Sequence, residues 1–356
     1  MTRNTGTFII ALLSLIAFNS TTSAKVKRFG PVMSIRPITI KNVAYSTSGR
    51  FIAVPNFITA GSVGVFKVSQ SGNIVNVPAR LSERNFYRAA GVFYFSTKDT
   101  SVDLIYILLP ELLSGYSVSF SPIGDTLAIA GGDKVFIYSA GYRWKLEKTI
   151  TLAQNTTRAV FSPDGSKLAV ISQGKIYCLE LKSGSTLYTI EPQGSNKFTD
   201  LSFSNNGSLL AAYEYQDIVL EHTSRIRIFQ SVNGDIDRDL PWFTDKPAKV
   251  PGDHLPLVSF APGDTALAVT IEKGFAGKIF LVKEVDGSLI RTFKGYCHAF
   301  SPDGSLFTAG GKVYSTKGWS EIGNFSNSAN NAAFSPTERV IIATMPEEIS
   351  RYRIED

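Results

Sequence analysis

The fold of this chain is decided by one segment, Ala159-Val160-Phe161-Ser162-Pro163-Asp164-Gly165-Ser166-Lys167-Leu168-Ala169-Val170. An alternating strand ends in an aromatic residue, Ser-Pro-Asp-Gly forms a tight turn, and an apolar strand follows. The pattern returns, complete or shortened, around the aromatic residues Tyr45, Phe120, Phe203, Phe260, Phe300 and Phe334. An internal repeat therefore organises most of the chain.

Each repeat is long enough for four strands. The seven aromatic residues from Tyr45 to Phe334 are separated by 75, 41, 42, 57, 40 and 34 residues. Spacings near 40 are typical of a propeller blade, which has about 40–45 residues in four antiparallel strands. Residues 175–184 and 186–190, for example, have the pattern of a third and a fourth strand. The sequence therefore predicts an all-β propeller.

The two long spacings indicate insertions. The spacing of 57 residues is explained by insertions at residues 215–224 and 241–256. The spacing of 75 residues fits one blade that carries a hairpin, built from residues 91–95 and 104–109, or two blades of which one is degenerate. Only 25 residues separate Phe95 from Phe120, which is too few for four strands with turns. We therefore expect seven blades, with eight as the alternative.

The two ends of the domain are expected to close the ring. The last repeat, residues 331–356, has length for three strands only, and residues 32–35 belong to no blade of their own. Residues 32–35 are therefore predicted to supply the fourth strand of the final blade, which removes an exposed sheet edge. Residues 25–356 form one propeller domain in this interpretation.

Residues 1–24 have the pattern of an export signal. Arg3 precedes a mostly apolar stretch at residues 8–18, and small and polar residues then lead to Ala24. The stretch is shorter than the roughly 20 residues needed to span a bilayer. We expect an exported protein, periplasmic or secreted, whose mature chain has no transmembrane span. Because Cys178 and Cys297 fall in separated blades, we expect two free, buried thiols.

The charge distribution argues against a nucleic-acid partner. The chain has 36 Lys and Arg against 30 Asp and Glu, a formal net charge of +6. The basic residues are scattered, with one tight cluster at residues 25–28. Nucleic-acid binders usually concentrate positive charge on one stripe. We expect that the protein has no nucleic-acid partner. We also expect that the chain is monomeric.

The repeats resemble the WD-repeat family and the related Ser-Pro-Asp-Gly propellers of bacterial envelopes. The resemblance covers nearly all of residues 25–356 and implies the fold, with a role in protein binding as its most general expectation. The sequence departs from the family at the end of the third strand, where Leu179-Glu180 and Phe229-Gln230 replace the Trp-Asp dipeptide. The Gly-His pair is also missing. Hydrophobic packing between blades must therefore supply most of the stability.

Polar residues in the first strand of the repeats are candidate channel-mouth residues. The position three before the aromatic residue holds Asn42, Arg158, Asp200 and Asn331. The position two before it holds His298, where the other repeats have apolar residues. We interpret His298 as a buried histidine bonded to a backbone carbonyl, with a functional histidine as the alternative.

The remaining acidic and imidazole groups have structural interpretations. Asp164 and Asp303 are expected to cap their own Pro-Asp-Gly turns. His222 and His254 lie in the predicted insertions and are expected to be solvated loop residues. The sequence has no nucleophile elbow, phosphate-binding loop or zinc motif, so we expect no catalytic residue, no metal ligand and no cofactor.

A non-enzymatic scaffold that binds a protein partner is the function we expect. Propellers offer a rigid face with variable loops, and residues 71–117, 213–224 and 238–257 are the candidate contact loops. The last of these contains a mixture of aromatic and charged residues that suits an interface. Its candidate interface residues are Trp242, Phe243, Lys246 and Lys249.

Two alternative functions stay open at this point. A metal-dependent hydrolase resembling the propeller lactonases would need a calcium ion near Asn42, Asp200 and Asn331. An envelope translocation or assembly factor resembling the Tol-system propeller is the second alternative. That family has an additional N-terminal domain, for which the residues before Tyr45 leave no room.

Overall fold

The computed structural model describes residues 25–34, 42–55, 62–67, 91–96, 103–108, 117–140, 144–153, 155–218, 221–240, 257–273, 276–326, 329–345 and 348–355. Every regular element within these ranges is a β-strand. The strands form seven antiparallel sheets, which are the blades of the propeller. The prediction of seven blades is confirmed, and the alternative of eight is wrong.

The blades follow one another along the chain. Blade 1 contains β2 (Ala44–Tyr45), β3 (Phe51–Pro55), β4 (Ser62–Lys67), β5 (Gly91–Ser96) and β6 (Asp103–Leu108). Blade 2 contains β7 (Ser117–Phe120), β8 (Thr126–Gly131), β9 (Lys134–Ser139) and β10 (Lys145–Thr151). Blade 3 contains β11 (Thr156–Phe161), β12 (Lys167–Ser172), β13 (Lys175–Glu180) and β14 (Thr186–Ile190). Blade 4 contains β15 (Lys197–Phe203), β16 (Leu209–Ile218), β17 (Glu221–Gln230) and β18 (Ile236–Leu240).

The last three blades have the same order. Blade 5 contains β19 (Leu257–Phe260), β20 (Ala266–Lys273), β21 (Ala276–Lys283) and β22 (Leu289–Lys294). Blade 6 contains β23 (His298–Phe300), β24 (Leu306–Ala309), β25 (Lys312–Ser315) and β26 (Glu321–Asn324). Blade 7 contains β27 (Asn331–Phe334), β28 (Val340–Met345), β29 (Glu348–Glu355) and, from the start of the chain, β1 (Lys25–Ser34).

The hydrophobic core lies between the blades. Ile137 of blade 2 packs in one cluster with Phe161 and Leu168 of blade 3, and the other clusters likewise combine residues of neighbouring blades. The second strands are buried on both sides, as in the VIIATM sequence of β28. The outer strands, such as β22, are largely exposed. Apolar burial between blades therefore replaces the missing polar network, as the sequence predicts.

The ring is closed by the N-terminal strand. β1 is the outer strand of blade 7 and pairs with β29 from Lys25 opposite Glu355 to Ser34 opposite Glu348. The prediction of N-terminal closure is confirmed, although the strand begins well before the predicted residues 32–35. β2 of blade 1 also contacts β27 of blade 7. Backbone pairing therefore places the N-terminal strand in the last blade, and packing between β2 and β27 joins that blade to the first.

Blade 1 has a fifth strand. Its strand order is β2-β3-β4-β6-β5, so β6 takes the fourth position beside β4 and β5 lies outside it. The predicted hairpin insertion within a single blade is confirmed. The later of its two strands completes the blade, and the earlier one becomes the edge of the sheet.

The insertion in blade 4 extends a hairpin. β16 and β17 stay paired from Leu209 opposite Gln230 to Ile218 opposite Glu221. His222 lies within β17, opposite Asp217, so the expectation of a loop residue is wrong for it. The second insertion, residues 241–256 with His254, lies outside the described residues. Cys178 and Cys297 are free and buried, as predicted.

The repeat turns are capped by their own side chains. The Asp164 carboxylate accepts hydrogen bonds from the Ser162 hydroxyl at 2.5 Å, the Ser166 hydroxyl at 2.7 Å and the Ser166 N–H at 3.1 Å. These bonds lower the pKa of Asp164 to about 2. Asp303 makes the same bonds in blade 6. Gly165 follows with a φ of 68°, a left-handed conformation that favours glycine. The prediction of self-capping turns is confirmed.

Candidate functional site

The antiparallel strand order gives the ring two distinct faces. We call the turn face the one that carries the repeat turns, residues 46–49, 121–125, 162–165, 204–207, 261–264, 301–304 and 335–338. Because successive strands run in opposite directions, turns between third and fourth strands also lie on the turn face. Turns between second and third strands, and connections to the next blade, leave the other side, which we call the opposite face.

Asn42 joins blade 1 to blade 2. Its side-chain amide donates to the carbonyl oxygen of Val118 at 2.6 Å, and its oxygen accepts from the N–H of Val118 at 3.2 Å. One side chain therefore satisfies both polar backbone groups at the edge of β7. This geometry holds the two inner strands in register.

Arg158 and Asp200 join three blades. Arg158 Nε of blade 3 lies 2.7 Å from Asp200 Oδ1 of blade 4, and Asp200 Oδ2 accepts from the N–H of Val258 in blade 5 at 2.7 Å. Asp200 is 2% exposed. Burial raises the pKa of Asp200 above its ordinary value, although the Arg158 charge and the Val258 N–H act in the other direction. A deeply buried carboxylate is therefore held by one guanidinium and by the backbone N–H groups of Val258 and Leu201.

His298 joins blade 6 to blade 5. Its Nδ1 lies 2.6 Å from Thr270 Oγ1 and its Nε2 lies 2.8 Å from Ser259 Oγ. The predicted burial is confirmed, but the partners are hydroxyl groups and not the expected backbone carbonyl. Burial lowers the pKa of His298 to about 3, so the imidazole is neutral near neutral pH. A neutral imidazole that is hydrogen-bonded at both ring nitrogens holds its neighbours in place, and it is not available as a general acid.

Asn331 is the fifth candidate residue and lies in blade 7. It is buried in β27, opposite Thr344 of β28. Four of the five candidates therefore lie in the inner strands of blades 3, 4, 6 and 7, and Asn42 lies just before the inner strand of blade 1. Contacts with neighbouring blades are made by Asn42, Arg158, Asp200 and His298. In the described part of the chain, no group of three or more His, Cys, Asp and Glu residues is placed to hold a metal ion.

The inner strands share a run of small side chains that the sequence analysis did not single out. The position immediately before the aromatic residue is half-buried in every blade. Its occupants are Ala44, Ser119, Val160, Ser202, Ser259, Ala299 and Ala333. None of these seven residues is an acid or a base. Acid–base chemistry at this position of the inner strands would therefore depend on the more deeply buried residues beside it.

The shape of the ring matches solved propellers. The β-propeller domain of Cps50 (Swd1) from Myceliophteria thermophila superposes with a TM-score of 0.61, covering 90% of this chain and 99% of that domain. This chain is a seven-bladed β-propeller. The two sequences are 12% identical, so the likeness establishes the fold alone. No family model matches this propeller, and no curated protein matches it in sequence.

The opposite face of blade 4 of the propeller carries a charged cluster. Glu214 of β16, which has no exposed surface, accepts from the Gln193 N–H at 2.7 Å and from Asn196 Nδ2 at 2.8 Å. Its second oxygen lies 3.0 Å from Arg225 Nε and 3.3 Å from a terminal nitrogen of Arg227. A buried carboxylate is thus tied to two arginines and to the connection from blade 3.

Two further contacts complete this charged cluster. Arg227 Nε lies 3.0 Å from Asp239 Oδ1, and its guanidinium stands over the ring of Phe229 at 5.3 Å. Burial alone would raise the pKa of Glu214, but the hydrogen bonds from Arg225, Gln193 and Asn196 outweigh it and hold the pKa below its ordinary value. The carboxylate is therefore ionised and fixes both guanidinium groups in place.

The charged cluster was missed because it depends on strand register. Glu214 lies opposite Arg225, and Arg227 lies opposite Asp239, in the paired strands of blade 4. Alternating arginines at 225 and 227 are a signal that the sequence offers, but the partners are identified only when the strands are aligned.

The candidate interface loop follows β18 in the sequence, and Asp239 of β18 belongs to this cluster. Trp242, Phe243, Lys246 and Lys249 lie outside the described residues. The strands that flank them, β18 and β19, end and begin on the opposite face. β16 also ends, and β17 also begins, on this face. Among the residues that the structure describes there is no helix long and apolar enough to cross a membrane.

Proposed function

We propose that this propeller is a WD-repeat-like, non-enzymatic scaffold that binds a protein partner through the opposite face of blades 4 and 5. One observation carries the proposal. The long strands β16 and β17 of blade 4 and the strands that flank residues 241–256, β18 of blade 4 and β19 of blade 5, reach the same face of the ring. Blades 2, 3 and 6 keep short turns, and the other long insertion, residues 68–90 of blade 1, follows the end of β4 on the turn face.

The charged cluster supports this choice of face. Contact residues on loops bind best when a rigid scaffold holds them, because less conformational entropy is lost on association. Glu214 ties β16 and β17 to the connection from blade 3. The base of the hairpin is therefore fixed where a partner would meet it.

We further propose that the protein acts outside the cytoplasm, in the periplasm or the extracellular space. The support is the apolar stretch at residues 8–18, which has the length and flanking residues of an export signal. N-terminal sequencing of the protein purified from the envelope or culture fraction tests this. A mature chain that begins near Lys25 is expected, and an intact N-terminus in the cytoplasmic fraction would refute it.

Crosslinking with matched variants tests the binding face. The full chain with a C-terminal affinity tag is crosslinked in the native envelope or secretory fraction, and captured proteins are identified by mass spectrometry. We expect a partner that is lost in Trp242→Ala/Phe243→Ala. It should be retained in Val285→Ala/Leu289→Ala, which changes exposed apolar residues on the turn-face side of blade 5.

Metal content is measured in the same preparations. Stoichiometric calcium without any partner would contradict the scaffold and favour a hydrolase. A partner lost only in the Val285→Ala/Leu289→Ala variant would show that the turn face binds it.

A further inference from the structure

Six of the seven outer strands carry an irregularity that interrupts their outer edge. The pairing of β1, β10, β14, β18, β22 and β26 with the next strand inward is broken in each case by a register shift. Bulges of this kind protect an exposed edge, because a foreign strand cannot pair with it continuously. Outer edges that resist strand addition are thus a repeated feature of this ring.

Charge and proline add to this protection. β1 contains Lys25, Lys27, Arg28 and Pro31, and β10, β18, β22 and β26 each contain at least one charged residue. β14 is uncharged but has its bulge. Charged residues and proline on an edge strand discourage pairing with another chain.

β5 lacks all of these protective features: it has no register shift, no charged residue and no proline. It pairs with β6 over all six residues, from Gly91 opposite Leu108 to Ser96 opposite Asp103, without a register shift. Its sequence, GVFYFS, has no charge and no proline and is rich in residues that favour strands. It is the last strand of its sheet, and no strand in the described ranges pairs with its outer edge.

We propose that β5 is a strand-pairing site for a second copy of this chain. Alternate residues of an edge strand direct N–H and C=O groups outward, and only another extended strand satisfies them in series. In an antiparallel two-fold pair centred on Tyr94, Tyr94 lies opposite Tyr94 of the other copy and Phe93 lies opposite Phe95. Every position then faces an uncharged one, which self-pairing requires, because like charges directly opposite each other repel.

The first test is the concentration dependence of the molecular mass. The full chain, expressed with its own N-terminal segment, is examined by light scattering and sedimentation over about two orders of magnitude in concentration. We expect the mass to rise from one chain towards two, and amide hydrogen exchange at residues 91–96 to slow in parallel. The mass of a single chain at all concentrations would overturn the proposal, whether or not those amides are protected.

Two sets of variants locate the contact. Tyr94→Lys is expected to abolish dimerisation, since it places like charges close together across the two-fold axis. Thr189→Lys in the bulged strand β14 is the matched control and should dimerise as the unmodified chain does. Dimerisation that survives Tyr94→Lys would overturn the proposal.

Proline variants distinguish an effect on pairing at the outer edge of β5 from an effect on the stability of the fold. Of two consecutive residues in β5, one directs its N–H towards β6 and the other directs it outward. Among Phe93→Pro and Tyr94→Pro, one should therefore abolish dimerisation with an unchanged melting temperature. The other should lower the melting temperature. A dimer that persists in both variants would overturn the proposal.

Discussion

His298 and Ser259 are joined across the boundary between blades 5 and 6 by a 2.8 Å contact between the imidazole Nε2 and the hydroxyl oxygen. Thr270 holds the other ring nitrogen at 2.6 Å. Hydroxyl groups can donate or accept, so these two partners satisfy a neutral imidazole in either tautomer. The arrangement makes the inner strand of blade 6 dependent on the protonation state of one buried side chain.

Lowering the pH is expected to reduce the free energy of unfolding because of His298. Its pKa is about 3 in the folded chain against an ordinary value of 6.5, so between these values the unfolded chain binds a proton that the folded chain does not. The free energy of unfolding should therefore decrease as the pH is lowered through this range, by up to about 1.4 kcal/mol per pH unit. Urea unfolding at several pH values measures the slope. In His298→Gln the slope should be smaller, and an unchanged slope would assign it to other groups.

The ion pair of Arg158 and Asp200 is expected to be important for stability because Asp200 is buried and the partly buried Arg158 supplies its opposite charge. Asp200→Ala should lower the free energy of unfolding by about 3–5 kcal/mol, because it leaves the Arg158 charge and the Val258 N–H without their acceptor. Arg158→Met leaves a buried carboxylate that can take up a proton. Its loss should therefore be largest near neutral pH and shrink in acid, where Asp200 is protonated in both states.

Chemical denaturation of these variants over a range of pH checks both statements. Glu191→Ala, which breaks an exposed pair with Lys175, is the control and should have no measurable effect. Equal losses at all pH values for Arg158→Met would contradict the buried-carboxylate argument.

The sequence predicts the blades well because their information is local. Each repeat turn contains its own capping serine, aspartate and glycine, so the turn at Asp164 can be identified without knowledge of the rest of the chain. The order of strands in blade 1 is different. β5 and β6 are both short apolar runs, and nothing in either one states which lies beside β4.

The contacts of the candidate residues were less predictable for the same reason. Aligning the repeats places His298 at a buried position, but its partners Ser259 and Thr270 come from another blade. Glu214 and Arg225 become neighbours only through the register of β16 and β17. Side-chain partners across strands and blades depend on register, which the local pattern does not encode.

The contact between the first and last blades is expected to limit substitution at Gly49. Gly49 and Gly124 stand at the same position of their repeat turns, with φ values of 70° and 71°. Alanine at either residue is expected to cost about 1–2 kcal/mol for the left-handed conformation. At Gly49 the new methyl group would also collide with the Thr337 side chain of blade 7, whereas at Gly124 it would meet open space.

Thermal unfolding of the two alanine variants measures this difference, with a larger loss expected for Gly49→Ala. Adding Thr337→Ala to Gly49→Ala should remove the part of the stability loss that comes from the collision. The part that comes from the left-handed backbone conformation should remain. Equal losses in the two single variants would show that blades 1 and 7 separate easily enough to absorb the methyl group.

Glu214 is expected to connect stability with partner binding. Glu214→Gln keeps the shape of the side chain but leaves Arg225 and Arg227 without the buried charge that holds them. We expect a loss of about 3 kcal/mol, in the range found when one partner of a buried pair is removed. Asp239→Asn alters the half-exposed end of the same cluster and should cost less than about 1 kcal/mol.

The pH dependence of the unmodified chain gives an independent check on Glu214. Its folded pKa lies below the ordinary 4.5, so its stabilisation is complete above that value and is lost as the pH falls through the folded pKa. Glu214→Gln should lack this acid-limb component in urea unfolding. If the cluster also fixes the hairpin for a partner, the crosslinked yield should fall in Glu214→Gln at a temperature where the variant is still folded. A stable variant with full crosslinking would separate the cluster from binding and leave residues 241–256 as the contact.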